Sequence, residues 1–196
     1  IKGRRSIRAY TNEPVDREVI NKIVEAASYA PSWKHTQTAR YTVIESKELK
    51  DKIASECTHT YPNNGEIIKQ APVLVVVSFV KNRSGFERDG SFSTSKGDRW
   101  EMFDSGIATE AFCLAAHSFG LGTVIMGLFD DTVKEAIELP DNQDISCIIC
   151  LGHKAEDPVA PKRKAVEDLV NYKLRLSHLF FVFLLFVVTY IEQFLS

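Results

Sequence analysis

Val73-Leu74-Val75-Val76-Val77-Ser78-Phe79 is a continuous apolar run that Pro72 opens. Such a run is typical of a β-strand that is buried on both faces. Residues 145–151 have the same character, and residues 100–119 predict a helix that is apolar over most of its circumference. Buried strands and apolar helices in one chain predict a sheet covered by helices, of either the α/β or the α+β class.

Shorter elements are predicted on both sides of this core. They are a helix over 14–30, a strand over 41–44, a helix over 47–57, a strand over 123–126, and helices over 130–138 and 166–170. Gly120 is expected to end the long helix, as glycine commonly does. Residues 81–98 are polar, contain three glycines and follow no period, so we predict a loop or lid there.

The composition narrows the class of protein. The chain has 196 residues, of which 44% are hydrophobic and 26% charged, and is long enough to bury a substantial core. Its 24 Lys and Arg against 26 Asp and Glu exclude a generally basic surface and argue against nucleic-acid binding. The four cysteines are scattered and no signal peptide is recognisable, so we expect reduced thiols in a cytoplasmic protein.

The first ten residues concentrate positive charge. Lys2, Arg4, Arg5 and Arg8 occur there without an acid, and Ser6 lies among the arginines. Guanidinium groups match phosphate oxygens in geometry, and a neighbouring hydroxyl adds a neutral donor. The segment therefore predicts either a clamp for a discrete phosphorylated ligand or an arm whose charges are simply solvated.

Several groupings of reactive side chains are interpreted as structural. Cys147 and Cys150 lie three apart in a predicted strand, where they point to opposite faces, so we predict buried small hydrophobic residues. The pair Asp130-Asp131 precedes an apolar helical pattern and is predicted to cap that helix. The five histidines show no metal-ligand spacing with cysteines or acids, so we predict no metal site.

Two further stretches suit a ligand. Gly127 directly follows the predicted strand 123–126, where a missing side chain lets the backbone approach a planar group and offer its N–H. Pro161-Lys162-Arg163-Lys164 is a second basic cluster. It either converges with the N-terminal arginines on one phosphate or forms a solvated turn.

Five segments, in this order and at this spacing, resemble the nitroreductase family of FMN-dependent oxidoreductases. They are Arg4-Arg5-Ser6-Ile7-Arg8-Ala9-Tyr10, Ala30-Pro31-Ser32-Trp33-Lys34-His35-Thr36-Gln37, Asp104-Ser105-Gly106-Ile107-Ala108, Gly120-Leu121-Gly122-Thr123 and Lys162-Arg163. Each segment alone is a weak signal. Together they carry the resemblance over residues 1–172.

The resemblance implies an α+β fold, with a mixed sheet surrounded by helices, and an obligate homodimer with two FMN sites at its interface. It implies that NADH or NADPH passes a hydride to the flavin N5, from which an electron-poor acceptor such as a nitroaromatic or a quinone takes it. The flavin carries this chemistry, so no side chain is assigned as catalytic. The implied cofactor-binding residues are Arg4, Arg5, Ser6, Arg8, Pro31, Ser32, His35, Gln37, Met126, Gly127, Lys162 and Arg163.

The resemblance also implies roles for individual residues. Arg4, Ser6 and Arg163 would hold the FMN phosphate, with Lys162 assisting. Arg8 would lie near the N1–C2=O edge of the flavin, where a cation stabilises the reduced anionic ring. The backbone of Met126 and Gly127 would face the N5 and O4 region.

The chain departs from the family pattern beside the flavin. His35 stands where the family usually has Asn, and Thr38-Ala39 stands where it usually has Pro-Trp or Pro-Phe. Histidine can still donate one hydrogen bond to the flavin pyrimidine, but its charge depends on pH. One alternative to the enzyme is therefore an FMN-binding protein without turnover. The C-terminal tail, described next, gives the other alternative, a membrane-tethered flavoprotein.

Residues 173–196 do not resemble the usual end of the family. Residues 176–191 carry no formal charge when the one histidine among them is neutral, and Lys173 and Arg175 precede them. A membrane-spanning helix needs about 17–25 apolar residues, so this stretch is borderline short. The tail is interpreted as a membrane anchor, a segment that packs on the dimer partner, or a non-native extension of the reading frame.

Overall fold

The computed structural model describes residues 1–58 and 62–173. The chain divides into two compact units, residues 1–159 and 160–196, and each is described by itself. The elements of the first unit are α1 (Arg17–Ser28), β1 (Ala39–Ile44), α2 (Lys47–Glu56), α3 (Pro62–Gln70), β2 (Val73–Val80), α4 (Arg99–Ser118), β3 (Leu121–Met126), α5 (Thr132–Ala136) and β4 (Gln143–His153). A 3₁₀ turn, Trp33–His35, precedes β1, and the described part of the second unit contains a 3₁₀ turn at Val166–Asp168.

The four strands form one sheet in the order β1-β2-β4-β3, and every pairing between them is antiparallel. A single parallel bridge joins Ser6 to Thr123 on β3. The predicted α+β class is confirmed, and the parallel part of the mixed sheet is, among the described residues, this one bridge. The central strand β2 is buried along its length up to Phe79, as its continuous apolar sequence predicts.

Alternate residues of β2 supply the cores on the two faces of the sheet. Val73, Val75 and Val77 join a cluster with side chains of α1 and α4, whereas Leu74 and Val76 join a cluster with side chains of α2 and α3. Each fully buried aliphatic side chain contributes roughly 1.5–3 kcal/mol. Helices therefore cover both faces because both faces of β2 are apolar.

The two cysteines of β4 lie on opposite faces, which confirms the prediction from their spacing. Cys147 belongs to the cluster with α1 and α4, and Cys150 to the cluster with α2 and α3. Both are buried free thiols. Burial raises the pKa of the Cys150 thiol to about 12, so it is neither a ready nucleophile nor a metal ligand.

Some helices are shorter in the structure than the sequence patterns predict. Helix α1 begins at Arg17, because the side chain of Asp16 accepts the Glu18 N–H over 2.8 Å and caps the helix there. The helix predicted over 130–138 is reduced to α5. The helix predicted over 166–170 is a 3₁₀ turn.

The prediction for Asp130-Asp131 is corrected in one respect. Asp131 takes the N-cap position of α5, but its side chain makes no capping hydrogen bond. Its Oδ1 lies 3.3 Å from Lys134 Nζ instead. Its backbone is already in the helical region, which turns the carboxylate away from the first-turn N–H groups.

Within residues 1–58 and 62–173 no helix has the length and apolarity needed to cross a bilayer. Residues 174–196 of the predicted apolar tail lie outside the described residues.

Candidate functional site

The N-terminal arm, residues 1–11, is anchored to the sheet. The Ile7 N–H donates to the Thr123 carbonyl over 2.9 Å, and the Ile7 side chain is buried. The Tyr10 hydroxyl lies 2.6 Å from the Ile7 carbonyl and 3.2 Å from the Cys150 carbonyl, and burial raises the pKa of Tyr10. Because the backbone is held at several points, the cations of the arm have fixed positions.

The guanidinium groups of the arm make few and mostly local contacts. Arg4 Nε lies 3.7 Å from Glu110 Oε1, and the Arg4 side chain is 23% exposed. Arg5 Nη1 donates to two carbonyls of the arm, and Arg8 Nη1 donates to the Ser6 carbonyl over 3.3 Å. Within the described part of the chain these contacts engage one nitrogen of each guanidinium, so further donors can meet an anion.

Gly122 is required where the arm crosses β3. A Cβ at this position would lie 2.7 Å from Ile7 Cγ1 and 2.7 Å from Lys154 Cγ. Both distances are shorter than a van der Waals contact allows. The glycine therefore lets the Ile7 side chain pack directly on β3. This close packing determines how far the backbone of the arm lies from the sheet.

Gly122→Ala is expected to lower the free energy of unfolding by about 1–3 kcal/mol, the usual cost of overpacking. The added methyl must displace the arm or Lys154. Urea denaturation followed by circular dichroism measures the change. Gly127→Ala is the matched control, because a Cβ there meets nothing within 4 Å and is expected to change stability by less than about 0.5 kcal/mol. Equal stability of the Gly122→Ala variant and the parent protein would contradict the required close approach.

The turn from Ser32 to Gln37 has a strained backbone. Lys34, His35 and Gln37 have φ angles of 44°, 58° and 49°, although none is glycine. Each such residue costs on the order of 1–3 kcal/mol and persists only where its surroundings fix it. The His35 N–H donates to the Ser32 carbonyl over 3.0 Å, and the Gln37 N–H donates to the Ser32 hydroxyl over 2.9 Å.

This turn presents polar side chains next to a cleft. The side-chain amide nitrogen of Gln37 lies 2.6 Å from His35 Nε2. Pro31, Ser32 and Gln37 border a cleft of about 480 Å³ between α1 and β1. The structure thus places three of the residues predicted for the site on one turn, directly after a fourth, Pro31, in a conformation that the sequence does not reveal.

The end of β3 exposes backbone and apolar side chains. Met126 is buried, whereas Ile125 and Leu128 on either side are 44% and 49% exposed. Gly127 has open space where a side chain would be. The Asn64 side chain donates to the Leu128 carbonyl over 3.0 Å and fixes the chain after the glycine. The predicted approach of a flat group to Gly127 is sterically open.

The nitroreductase family model matches residues 1–66 and 58–153 of this chain. The chain belongs to the nitroreductase family. An FMN reductase [NAD(P)H] of Bacillus subtilis is 34% identical over 179 residues, which are 86% of this chain and 70% of that protein. A nitroreductase family protein of Clostridium novyi has a solved structure with a TM-score of 0.68 and 29% identity, over 79% of this chain and 83% of that one. A Desulfovibrio desulfuricans protein solved in complex with FMN has a TM-score of 0.70 and 28% identity, over 88% and 94% of the two chains.

Two basic residues predicted for the site lie in the second unit. Lys162 and Arg163 are exposed, and Arg163 Nη1 donates to the Pro161 carbonyl over 3.1 Å. Their role at a phosphate stays a prediction.

The long helix α4 exposes an apolar stripe. Met102 and Phe103 are 52% and 57% exposed, and Gly106, Ile107 and Leu114 continue the same face. The opposite face packs on the sheet through Phe112. An exposed apolar stripe of this length is unusual on a monomer and is typical of a protein interface.

Two residues near the arm were not predicted. His117, in the last turn of α4, and Lys154, just after β4, border a small cavity with Arg4 and Arg5. Burial and the positive charge of Lys154 hold the pKa of His117 below its ordinary value, so it adds no charge at neutral pH. Neither residue belongs to a local motif, and only the folded chain brings them to the arm.

Proposed function

We propose that this protein is an FMN-dependent oxidoreductase that passes a hydride from NADH or NADPH to an electron-poor acceptor such as a nitroaromatic or a quinone. The observation that carries the proposal is the anchored arm, which holds Arg4, Arg5 and Arg8 in fixed positions on a chain of the nitroreductase family. The relatives named for FMN reduction and the FMN complex support the same cofactor here.

The residues present fit FMN. Its phosphate is a dianion, and Arg4, Arg5 and the Ser6 hydroxyl supply charged and neutral donors suited to it. Its flat ring needs an open approach, which Gly127 provides. The indole N–H of Trp33 is buried and has no hydrogen-bond partner among the described residues, so a donor is left for a group from outside the chain.

When bound, FMN supplies a ring that takes a hydride at N5 and releases it to an acceptor. The chain's own residues position and stabilise it. Arg8 would place a cation near the ring, where it would favour the negatively charged form. Gly127 offers space and a backbone N–H. His35 and Gln37 offer polar side chains, and none of these residues has to act as a nucleophile or a general acid.

The proposed assembly is a homodimer with the FMN sites at its interface. The exposed stripe of α4 is the surface that a second copy would cover. In a symmetric dimer the two stripes face each other, so each copy removes the other's apolar surface from water.

An absorbance spectrum of the purified protein with a titration of NADPH tests the proposal. We expect flavin absorbance that bleaches with NADPH and returns on addition of a quinone or nitroaromatic. Flavin absorbance without bleaching would overturn the enzyme in favour of a non-catalytic FMN-binding protein. Absence of flavin, with no binding of added FMN, would overturn both.

His35→Asn is expected to flatten the pH dependence of the midpoint potential of bound FMN. A protonated imidazole adds positive charge beside a ring that becomes negative on reduction, so acid favours reduction more strongly with histidine than with asparagine. Redox titration of both proteins between about pH 5 and 8, where histidine normally titrates, measures the two slopes. Parallel curves would show that His35 does not face the flavin.

A further inference from the structure

The buried carboxylate of Asp104 joins two segments that are far apart in the sequence. Asp104 lies on α4 and is 5% exposed. Its Oδ2 accepts the backbone N–H of Trp33 over 2.8 Å and the hydroxyl of Ser84 over 2.6 Å. One oxygen atom thus holds the strained turn 32–37 and the segment 81–98 together.

Further contacts fasten the same two segments. The Thr36 hydroxyl lies 2.9 Å from the Ser84 hydroxyl, and Lys34 Nζ lies 2.9 Å from Glu87 Oε1. The Ser93 hydroxyl and the Lys34 ammonium hold the pKa of Glu87 below its ordinary value. These last groups are exposed, so their ion pair contributes little beside a buried carboxylate.

Two aromatic rings complete the junction. The ring centroids of Trp33 and Trp100 lie 4.7 Å apart at an interplanar angle of 42°. Trp33 belongs to the turn, and Trp100 lies in the first turn of α4, where the segment 81–98 joins the helix. The position of the turn relative to α4 therefore fixes the geometry of this pair.

The hydrogen bonds that Asp104 accepts offset the unfavourable backbone conformation of the turn. The turn holds three non-glycine residues in the left-handed region, which is unfavourable without external support. Hydrogen bonds to an ionised acceptor are about twice as strong as neutral ones. Removing the acceptor would leave the Trp33 N–H without its partner and the Ser84 hydroxyl with only the Thr36 hydroxyl. An unsatisfied buried donor is costly.

We propose that Asp104 is a positioning residue, which sets the turn that carries His35 and Gln37 and couples it to the segment 81–98. A shift of either segment then moves the other. The consequence for FMN rests on the proposed function. The coupling itself is a property of the protein without cofactor.

The sequence offers a specific probe of this junction. It contains two tryptophans, Trp33 and Trp100, and both belong to the pair. Two indoles this close give an exciton-coupled circular dichroism signal that depends on their mutual orientation. Trp100→Phe abolishes the coupling and identifies the signal.

The experiment compares Asp104→Ala, Asp104→Asn and Ser105→Ala in the full chain without cofactor. Ser105 is the matched control, because it is a buried neighbour of Asp104 on α4 whose hydroxyl donates to Ser146 Oγ of β4 over 2.7 Å and contacts neither the turn nor the segment 81–98 by a hydrogen bond. We expect Asp104→Ala to lose the exciton signal, and Asp104→Asn, which keeps an acceptor oxygen, to retain it. Ser105→Ala is expected to retain the signal even where it lowers the melting temperature equally.

The second readout is the dissociation constant of FMN. We expect an increase on the order of tenfold for Asp104→Ala, corresponding to one lost hydrogen bond to a charged group, and rescue by Asp104→Asn. If Asp104→Ala does not fold, Ser84→Ala removes one of the two donors and is expected to weaken the signal. An unchanged signal in Asp104→Ala or Ser84→Ala, or an equal loss in Ser105→Ala, would overturn the proposal.

Failure of the proposed function gives a different result. If the parent protein binds no FMN, no dissociation constant can be measured for any variant. The exciton signal still reports the coupling. Loss of the signal in Asp104→Ala with unchanged FMN affinity would support the coupling and overturn the placement of the turn at the cofactor.

Discussion

Replacing Arg4 with alanine is expected to raise the dissociation constant of FMN by roughly ten- to a hundredfold. A hydrogen bond between charged groups contributes about 1.5–3 kcal/mol, and a phosphate dianion left without one partner loses that amount. Arg4 is 23% exposed, and its pairing with Glu110 is long at 3.7 Å, so the guanidinium is available to a ligand. Quenching of FMN fluorescence on titration with the protein freed of cofactor measures the constant.

Two variants separate phosphate recognition from general loss of charge. Lys2→Ala removes one positive charge from the same arm at an exposed position and is expected to change FMN affinity by less than about threefold, as screened surface charges do. Glu110→Gln removes the competing carboxylate and is expected to leave affinity unchanged or tighten it. If Arg4→Ala binds FMN as tightly as the parent protein, Arg4 is not a phosphate ligand.

The core of the fold could be predicted because its signals are local. The continuous apolar run in β2 predicts that both faces of the strand are buried. Side chains alternate between the faces of a strand, so Cys147 and Cys150 lie in opposite clusters. Helix α3 was not predicted. It carries Asn63, Asn64 and Gly65 in its first turn, where helix propensity is low, and a Cβ at Gly65 would lie 2.6 Å from the Ala54 carbonyl. Its close packing on α2 stabilises it against its propensity.

The candidate site likewise contains residues that the sequence predicts and contacts that it does not predict. The cations of the arm all lie within the first eight residues, so the sequence reveals them, and the family resemblance supplies the order of the other segments. Lys34, His35 and Gln37 have left-handed backbone conformations, but none of them is glycine, so the sequence gives no signal for this turn. The bond from Trp33 to Asp104 spans 71 positions, and no local pattern predicts a contact at that separation.

Phe103→Asp is expected to convert the proposed homodimer into a monomer. Phe103 is 57% exposed and lies beside Met102 in the N-terminal part of the apolar stripe, which Ile107 continues. In a symmetric interface each substitution occurs twice, and burying an unpaired carboxylate costs several kcal/mol per ion. Light scattering coupled to size-exclusion chromatography gives the mass of the parent protein and the variant at the same concentration.

Phe119→Asp is the matched control for the loss of a phenylalanine. Phe119 caps α4, is 45% exposed, and lies on the other side of the helix from Phe103 at 100° per residue. We expect this variant to remain a dimer. If the FMN sites are built at the interface, the Phe103→Asp monomer also loses FMN, because half of each site leaves with the partner. A monomer that keeps its flavin would overturn the shared site, and a dimeric Phe103→Asp variant would overturn the stripe of α4 as the interface.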